Sequence, residues 1–140
     1  WSKMLILSQG LYTLVKYFDN KKRNFKVYLW INKKEFKNIL KNNKIQTIYI
    51  FGHGRRARLT FEDGVLEYSD LENYSKKRFI GQYHCNHGGG KSLVEYLSKS
   101  GDVTNWYRLS FINALELIWA CNIKNKSPDE IYNDIHFHYI

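Results

Sequence analysis

Proline is almost absent from this chain: one residue among 140, beside only nine glycines. So few chain breakers argue against a fold dominated by loops. Cysteine is equally sparse. Cys85 and Cys121 are too few for a disulfide scaffold, and a reducing compartment, the cytoplasm, is the expected setting. No stretch approaches the ~20 consecutive apolar residues of a transmembrane helix, so no membrane span is expected here. Trp1 stands where a whole protein would carry Met, which gives the expectation of a piece of a longer chain and leaves an upstream anchor open. Acidic residues are also scarce, 13 against 22 Lys and Arg, which leaves a net charge of +9. That balance favours anionic partners, whether nucleic acid, an acidic surface or an acidic substrate, without choosing among them. Runs such as Lys21-Lys22-Arg23 and Lys76-Lys77-Arg78 fall at element ends, where a solvated surface is the plain reading.

What is abundant is apolar and aromatic. Hydrophobic residues make up 44% and aromatics 16%, enough for a globular chain. At this length they supply one core, and a single domain is expected.

The order of elements suggests an α/β fold. Met4-Leu5-Ile6-Leu7 is a short apolar run that reads as a buried strand. Leu11, Leu14, Val15 and Phe18 then mark one face of a helix. Phe25 to Ile31, rich in β-branched and aromatic residues, reads as strand two. Asn32 can cap the next helix with Glu35 as its capping-box partner, burying Phe36, Ile39 and Leu40. Ile45 to Phe51 is strand three. This β-α-β-α-β order implies a mainly parallel sheet with right-handed crossovers. After it, Asp63-Gly64 is a hairpin signal between Arg58–Phe61 and Val65–Glu67. A helical turn near Ser69-Asp70, strand four over Arg78 to Tyr83 and a helix over Lys91 to Leu97 with Leu93, Val94 and Leu97 inward follow. The last forty residues suggest a helix over Leu109 to Cys121, a short one from Pro128 after Ser127, and an edge strand over Ile135 to Ile140.

Two of these strands end in chemistry. Strand three runs into Gly52-His53-Gly54, and strand four into His84-Cys85-Asn86-His87-Gly88-Gly89-Gly90. In an open parallel sheet the C-terminal edge of the strands is where ligands bind, and a histidine with a cysteine there can act as base and nucleophile. A thiolate is favoured at a helix N-terminus, which Cys85 would occupy if the next helix begins at the glycines.

The pair has a family likeness. An apolar strand ending in His-Gly, a hairpin insertion carrying Phe61-Glu62-Asp63-Gly64-Val65-Leu66 and Ser69-Asp70-Leu71, and a strand ending in Cys85-Asn86-His87-Gly88 together resemble the caspase-like cysteine peptidases of clan CD. Within them the Cys-x-x-Gly spacing is most similar to the CHAT (caspase HetF-associated with TPRs) type. The resemblance implies a three-layer αβα domain with a β-hairpin insertion after strand three. It implies a hydrolase with a His53–Cys85 dyad, an oxyanion hole from the Gly54 and Cys85 amides, and no cofactor. Arg55, Arg56, Asn86 and His87 would line the substrate site, and the partner would be a peptide or protein, acidic if the two arginines face it.

Three other readings compete. His84, Cys85 and His87, with His53, could hold zinc, but neighbouring strand residues such as His84 and Cys85 point to opposite faces, and no metal is expected. Gly90-Lys91-Ser92 matches the end of a phosphate loop, but Cys85 stands where that motif needs its first glycine. A caspase-like domain without peptidase activity, binding an acidic partner or nucleic acid through Arg55 and Arg56, is the alternative to an enzyme.

Overall fold

The computed structural model describes residues 2–99 and 115–132, with side chains from residue 10 onward in these ranges. The chain divides into two compact units, Trp1–Lys26 with Ser110–Ile140, and Val27–Leu109.

In the first unit the leading element is a helix, α1 (Ser2–Asn20). The strand expected over Met4-Leu5-Ile6-Leu7 does not form. Leu7, Leu11, Leu14, Val15 and Phe18 extend one 3.6-residue periodicity through that run, and Gly10, the apparent stop, costs only ~1 kcal/mol inside a helix. Residues 115–118 are α-helical and pass into a π-helical stretch, Trp119–Lys124, that ends on Asn125 in the left-handed region at φ 55°. Residues 128–132 form the helical turn expected after Ser127, with Pro128 at its start. Leu14, Tyr17, Phe18, Leu117, Ala120 and Cys121 are buried here. Beside them Arg23 donates to both carboxylate oxygens of Asp129 (3.1 and 2.6 Å), and Tyr17 Oη donates to Glu130 Oε1 at 3.0 Å. The strand expected over Ile135 to Ile140 and the start of the helix expected over Leu109 to Cys121 lie outside the described residues.

The second unit holds every strand among the described residues. Phe25 to Ile31, expected as strand two, forms none. Strand preference reports fit to a half-buried pleated surface. Val27, Leu29 and Trp30 instead face solvent, and Trp30 sits at φ 56°, outside strand geometry. Helix α2 (Lys33–Lys41) starts at the expected Asn32 cap, whose Oδ1 accepts from the Glu35 N–H at 2.8 Å, and it buries Phe36 and Leu40 with Ile39 half-buried beside them. Strand β1 (Thr47–Phe51) follows. The chain then bends at Gly52 into β2 (His53–Arg55), β3 (Arg58–Phe61) and β4 (Gly64–Glu67). Glu62 and Asp63 make the turn between the last two, and Gly64, which opens β4, sits at φ +130°. A 3₁₀ turn (Tyr68–Leu71), β5 (Phe79–Tyr83) and the short helix α3 (Leu93–Leu97) complete the unit.

The architecture is mixed α/β. β1 and β5 pair in parallel, Thr47 opposite Phe79 through Phe51 opposite Tyr83, while β2, β3 and β4 form a separate antiparallel sheet. With no strands over Met4–Leu7 and Phe25–Ile31, the mainly parallel sheet expected from them reduces to this one pair. Both faces of β5 are covered. Ile48, Ile50 and Ile80 point into a core shared with Phe36, Leu40, Leu59, Leu66, Tyr68, Leu71, Leu93, Val94 and Leu97. Tyr49, Phe51, Phe79 and Tyr83 stack on the other face with ring centroids 5.0 to 6.0 Å apart. Among the described residues no helix is long and apolar enough to cross a membrane.

Candidate active site

Parallel pairing brings the two chemical loops to one edge. Phe51 and Tyr83 are the last paired residues of β1 and β5, and His53 and Cys85 each stand two residues beyond them. Both histidine and cysteine are open to chemistry: His53 is exposed, the Cys85 thiol is free and half-buried, and among the described residues neither side chain is engaged in a hydrogen bond or ion pair.

The helix expected over Lys91 to Leu97 forms, but Cys85 does not stand at its N-terminus. Loop residues Asn86 to Lys91 intervene before α3, whose N-cap is Ser92. That N-terminus is also already occupied, since Glu95 Oε2 accepts from the Ser92 N–H at 2.6 Å and Ser92 Oγ accepts from the Glu95 N–H at 3.3 Å. Helix-dipole assistance to the thiol is therefore not part of this site.

Arg56 holds the glycine loop instead. Its backbone N–H donates to His87 O (3.0 Å) and its Nε to Gly90 O (2.9 Å), while its guanidinium lies 3.7 Å from Glu95. Gly90, at φ +97°, passes so close to Ala57 that an added Cβ would sit 2.9 Å from the alanine methyl. Arg56, expected to meet substrate, is thus built into the wall of the site. Arg55 and His87 are exposed beside it and Asn86 is half-buried. The Lys91 ammonium stands over the Tyr96 ring, 4.8 Å from its centroid.

Beneath this surface lies a feature the sequence reading missed. His84 is fully buried. Its Nε2 lies 2.8 Å from Tyr68 Oη and 3.0 Å from Gln82 Nε2, and its Nδ1 lies 2.8 Å from the carbonyl oxygen of Cys85. A carbonyl only accepts, so Nδ1 carries the proton and Nε2 accepts from the tyrosine hydroxyl. Gln82 Oε1 accepts from the Val94 N–H at 3.1 Å, which leaves its amide N–H groups for Tyr68 and His84. Burial pushes the His84 pKa below its ordinary value and that of Tyr68 above its own, so the cluster is neutral. Both nitrogens of His84 are thereby committed to protein partners, which removes it from the zinc set that His84, Cys85 and His87 suggested. The sequence carried only part of its signal: Gln82, on the core-facing side of a strand buried on both faces, and His84, one residue past that strand, are polar groups that require internal partners, but nothing local names those partners.

Set against protein-family models, curated proteins and solved structures, the chain matches none.

Proposed function

We propose that this chain is a cysteine hydrolase, a peptidase working through an acyl-enzyme on Cys85. The observation that carries the reading is the placement of His53 and Cys85 at equivalent positions past the ends of two adjacent parallel strands. Packing of the core requires neither residue there. The same reading takes β1 and β5 as the centre of a three-layer αβα domain of caspase-like type, with β2 to β4 as its hairpin insertion.

In the reaction, the Cys85 sulfur attacks a peptide carbonyl and its proton passes to His53. The amide N–H groups of Gly54 and Cys85 face the developing oxyanion, a contribution of ~3 kcal/mol per donor. His53 then returns the proton to the leaving amine, and water cleaves the thioester. Arg55, Asn86 and His87 form the rim that meets the peptide, and the exposed guanidinium of Arg55 favours an acidic group on it. No step calls for a cofactor. Two free cysteines suit a reducing compartment such as the cytoplasm.

The test is a peptide-library digest with wild type, Cys85→Ala and His53→Ala, read beside iodoacetamide labelling mapped by mass spectrometry. Cleavage by wild type alone is expected, with Cys85 labelled near neutral pH far ahead of Cys121. The Cys121 thiol is pushed up to about 12 by burial and by Glu130 and Asp129. Cleavage that survives Cys85→Ala excludes the mechanism. An inert wild type that still retains an acidic protein or nucleic acid, in both variants as well, points to the non-catalytic binding module.

A further inference from the structure

We propose that His84 is the positioning residue of the His53–Cys85 site, a buried imidazole that spaces the two strand ends and fixes the backbone from which the nucleophile projects. The inference rests on the hydrolase reading of that site and adds a residue that acts through others.

The geometry has two halves. On one side, the His84 Nδ1–H donates to Cys85 O. A side chain bonded to the carbonyl of the next residue pins the peptide that leaves Cys85, and with it the direction in which the chain turns into Asn86 and the glycines. On the other side, the same Nδ1 lies 3.1 Å from where a Cβ on Gly54 would stand. The imidazole therefore rests against the backbone of the strand that begins with His53. One ring touches both arms of the site.

Tyr68 and Gln82 hold that ring in place. Tyr68 follows β4, and its N–H donates to Ala57 O at 2.9 Å, at the turn between β2 and β3. Its hydroxyl reaches His84 Nε2. Gln82 lies on β5 and is anchored by the Val94 N–H of α3. The ring orientation is thus set jointly by the hairpin that carries His53 and by the strand and helix that flank Cys85. A histidine needed only to fill space would not require three polar partners in an otherwise apolar core, since each buried polar group costs free energy unless it is satisfied.

The test measures the second-order rate of Cys85 alkylation by iodoacetamide in the whole chain, with peptide cleavage alongside. The variants are His84→Leu, which keeps bulk and loses both bonds; His84→Asn, whose side-chain amide can replace the Nδ1–H; and Tyr68→Phe, which removes one hydroxyl. Expected is a fall of about tenfold or more in the Cys85 rate for His84→Leu, within the range that misplacing a reacting group reaches, with substantial recovery in His84→Asn and an intermediate loss in Tyr68→Phe. A role in stability alone would lower the melting temperature and leave the rate in the folded protein unchanged, without rescue by asparagine. Wild-type rates in folded His84→Leu and Tyr68→Phe overturn the inference, and if His84→Leu does not fold, Tyr68→Phe decides it. A His53→Ala variant keeps the two proposals separate. If its Cys85 rate equals that of wild type the dyad reading fails, whereas the His84 inference fails only on the His84 and Tyr68 variants.

Discussion

Single residues in this site are constrained by contact more than by chemistry. An added Cβ on Gly54 would meet Arg58 O at 2.6 Å and His84 Nδ1 at 3.1 Å. The first is backbone and cannot move aside, and the second is locked by Tyr68 and Gln82. Gly54→Ala is therefore expected to destabilise the fold by ~1–3 kcal/mol, the usual cost of overpacking. Gly89, a short way along the other arm, has nothing within 4 Å of the corresponding position and no left-handed φ. Gly89→Ala should be neutral or add ~0.4–1 kcal/mol by restricting the unfolded chain. Urea denaturation of both variants checks the contrast, and equal effects would show that the packing around Gly54 is looser than these distances indicate.

At the scale of elements, α3 shows how short segments survive. Five residues cannot sustain a helix in water. This one persists because Leu93, Val94 and Leu97 are buried and because Ser92 and Glu95 close a reciprocal capping box. Ser92→Ala should cost ~1 kcal/mol and Ser92→Gly only a few tenths, a difference that the urea midpoints would reveal. The Asn32 cap of α2, the hairpin at Glu62-Asp63-Gly64 and the apolar runs of β1 and β5 were legible in the sequence because each rests on local cues. The elements that escaped depend on context. Met4 to Leu7 is too short to separate strand from helix by periodicity. Phe25 to Ile31 has strand composition but no strand geometry. β2 was not foreseen because the turn after it, Arg56-Ala57, carries none of the usual turn residues. The site divides the same way. His53 and Cys85 could be placed at strand ends by reading along the chain. Tyr68, Gln82 and His84 become a cluster only when β4, β5 and α3 are brought together, which no local pattern encodes.

For the molecule as a whole, the buried ionisable groups lie in different units, and pH should separate them. His84 belongs to the unit spanning Val27–Leu109. Burial lowers its folded pKa below the unfolded value of 6.5, so below that pH the unfolded chain takes up a proton that the folded one resists. Stability is then lost as pH falls from about 6.5 toward the folded pKa. The other unit carries Cys121 and Tyr17. Cys121 is raised from 9.0 to about 12, by burial first and then by Glu130 and Asp129. Tyr17 is raised from 10.0 to about 12, by burial first and then by its hydrogen bond to Glu130. Here the unfolded chain releases protons that the folded one keeps, so stability is lost as pH rises above about 9. Lys77 runs the opposite way in the His84 unit. It is fully buried, its Nζ donates to Asn42 O at 2.8 Å, and burial lowers its pKa from 10.5. Stability there rises as pH approaches 10.5. Hydrogen exchange corrected for intrinsic rate should therefore report opposite trends. Peptides around β1 and β5 should lose protection as pH falls below 6.5, and those around α1 and Trp119–Lys124 between pH 9 and 10, where β1 and β5 hold theirs. His84→Asn should flatten the acid limb. An acid limb of the same depth in that variant, or both units opening together at pH 9 to 10, would show that other groups govern the response.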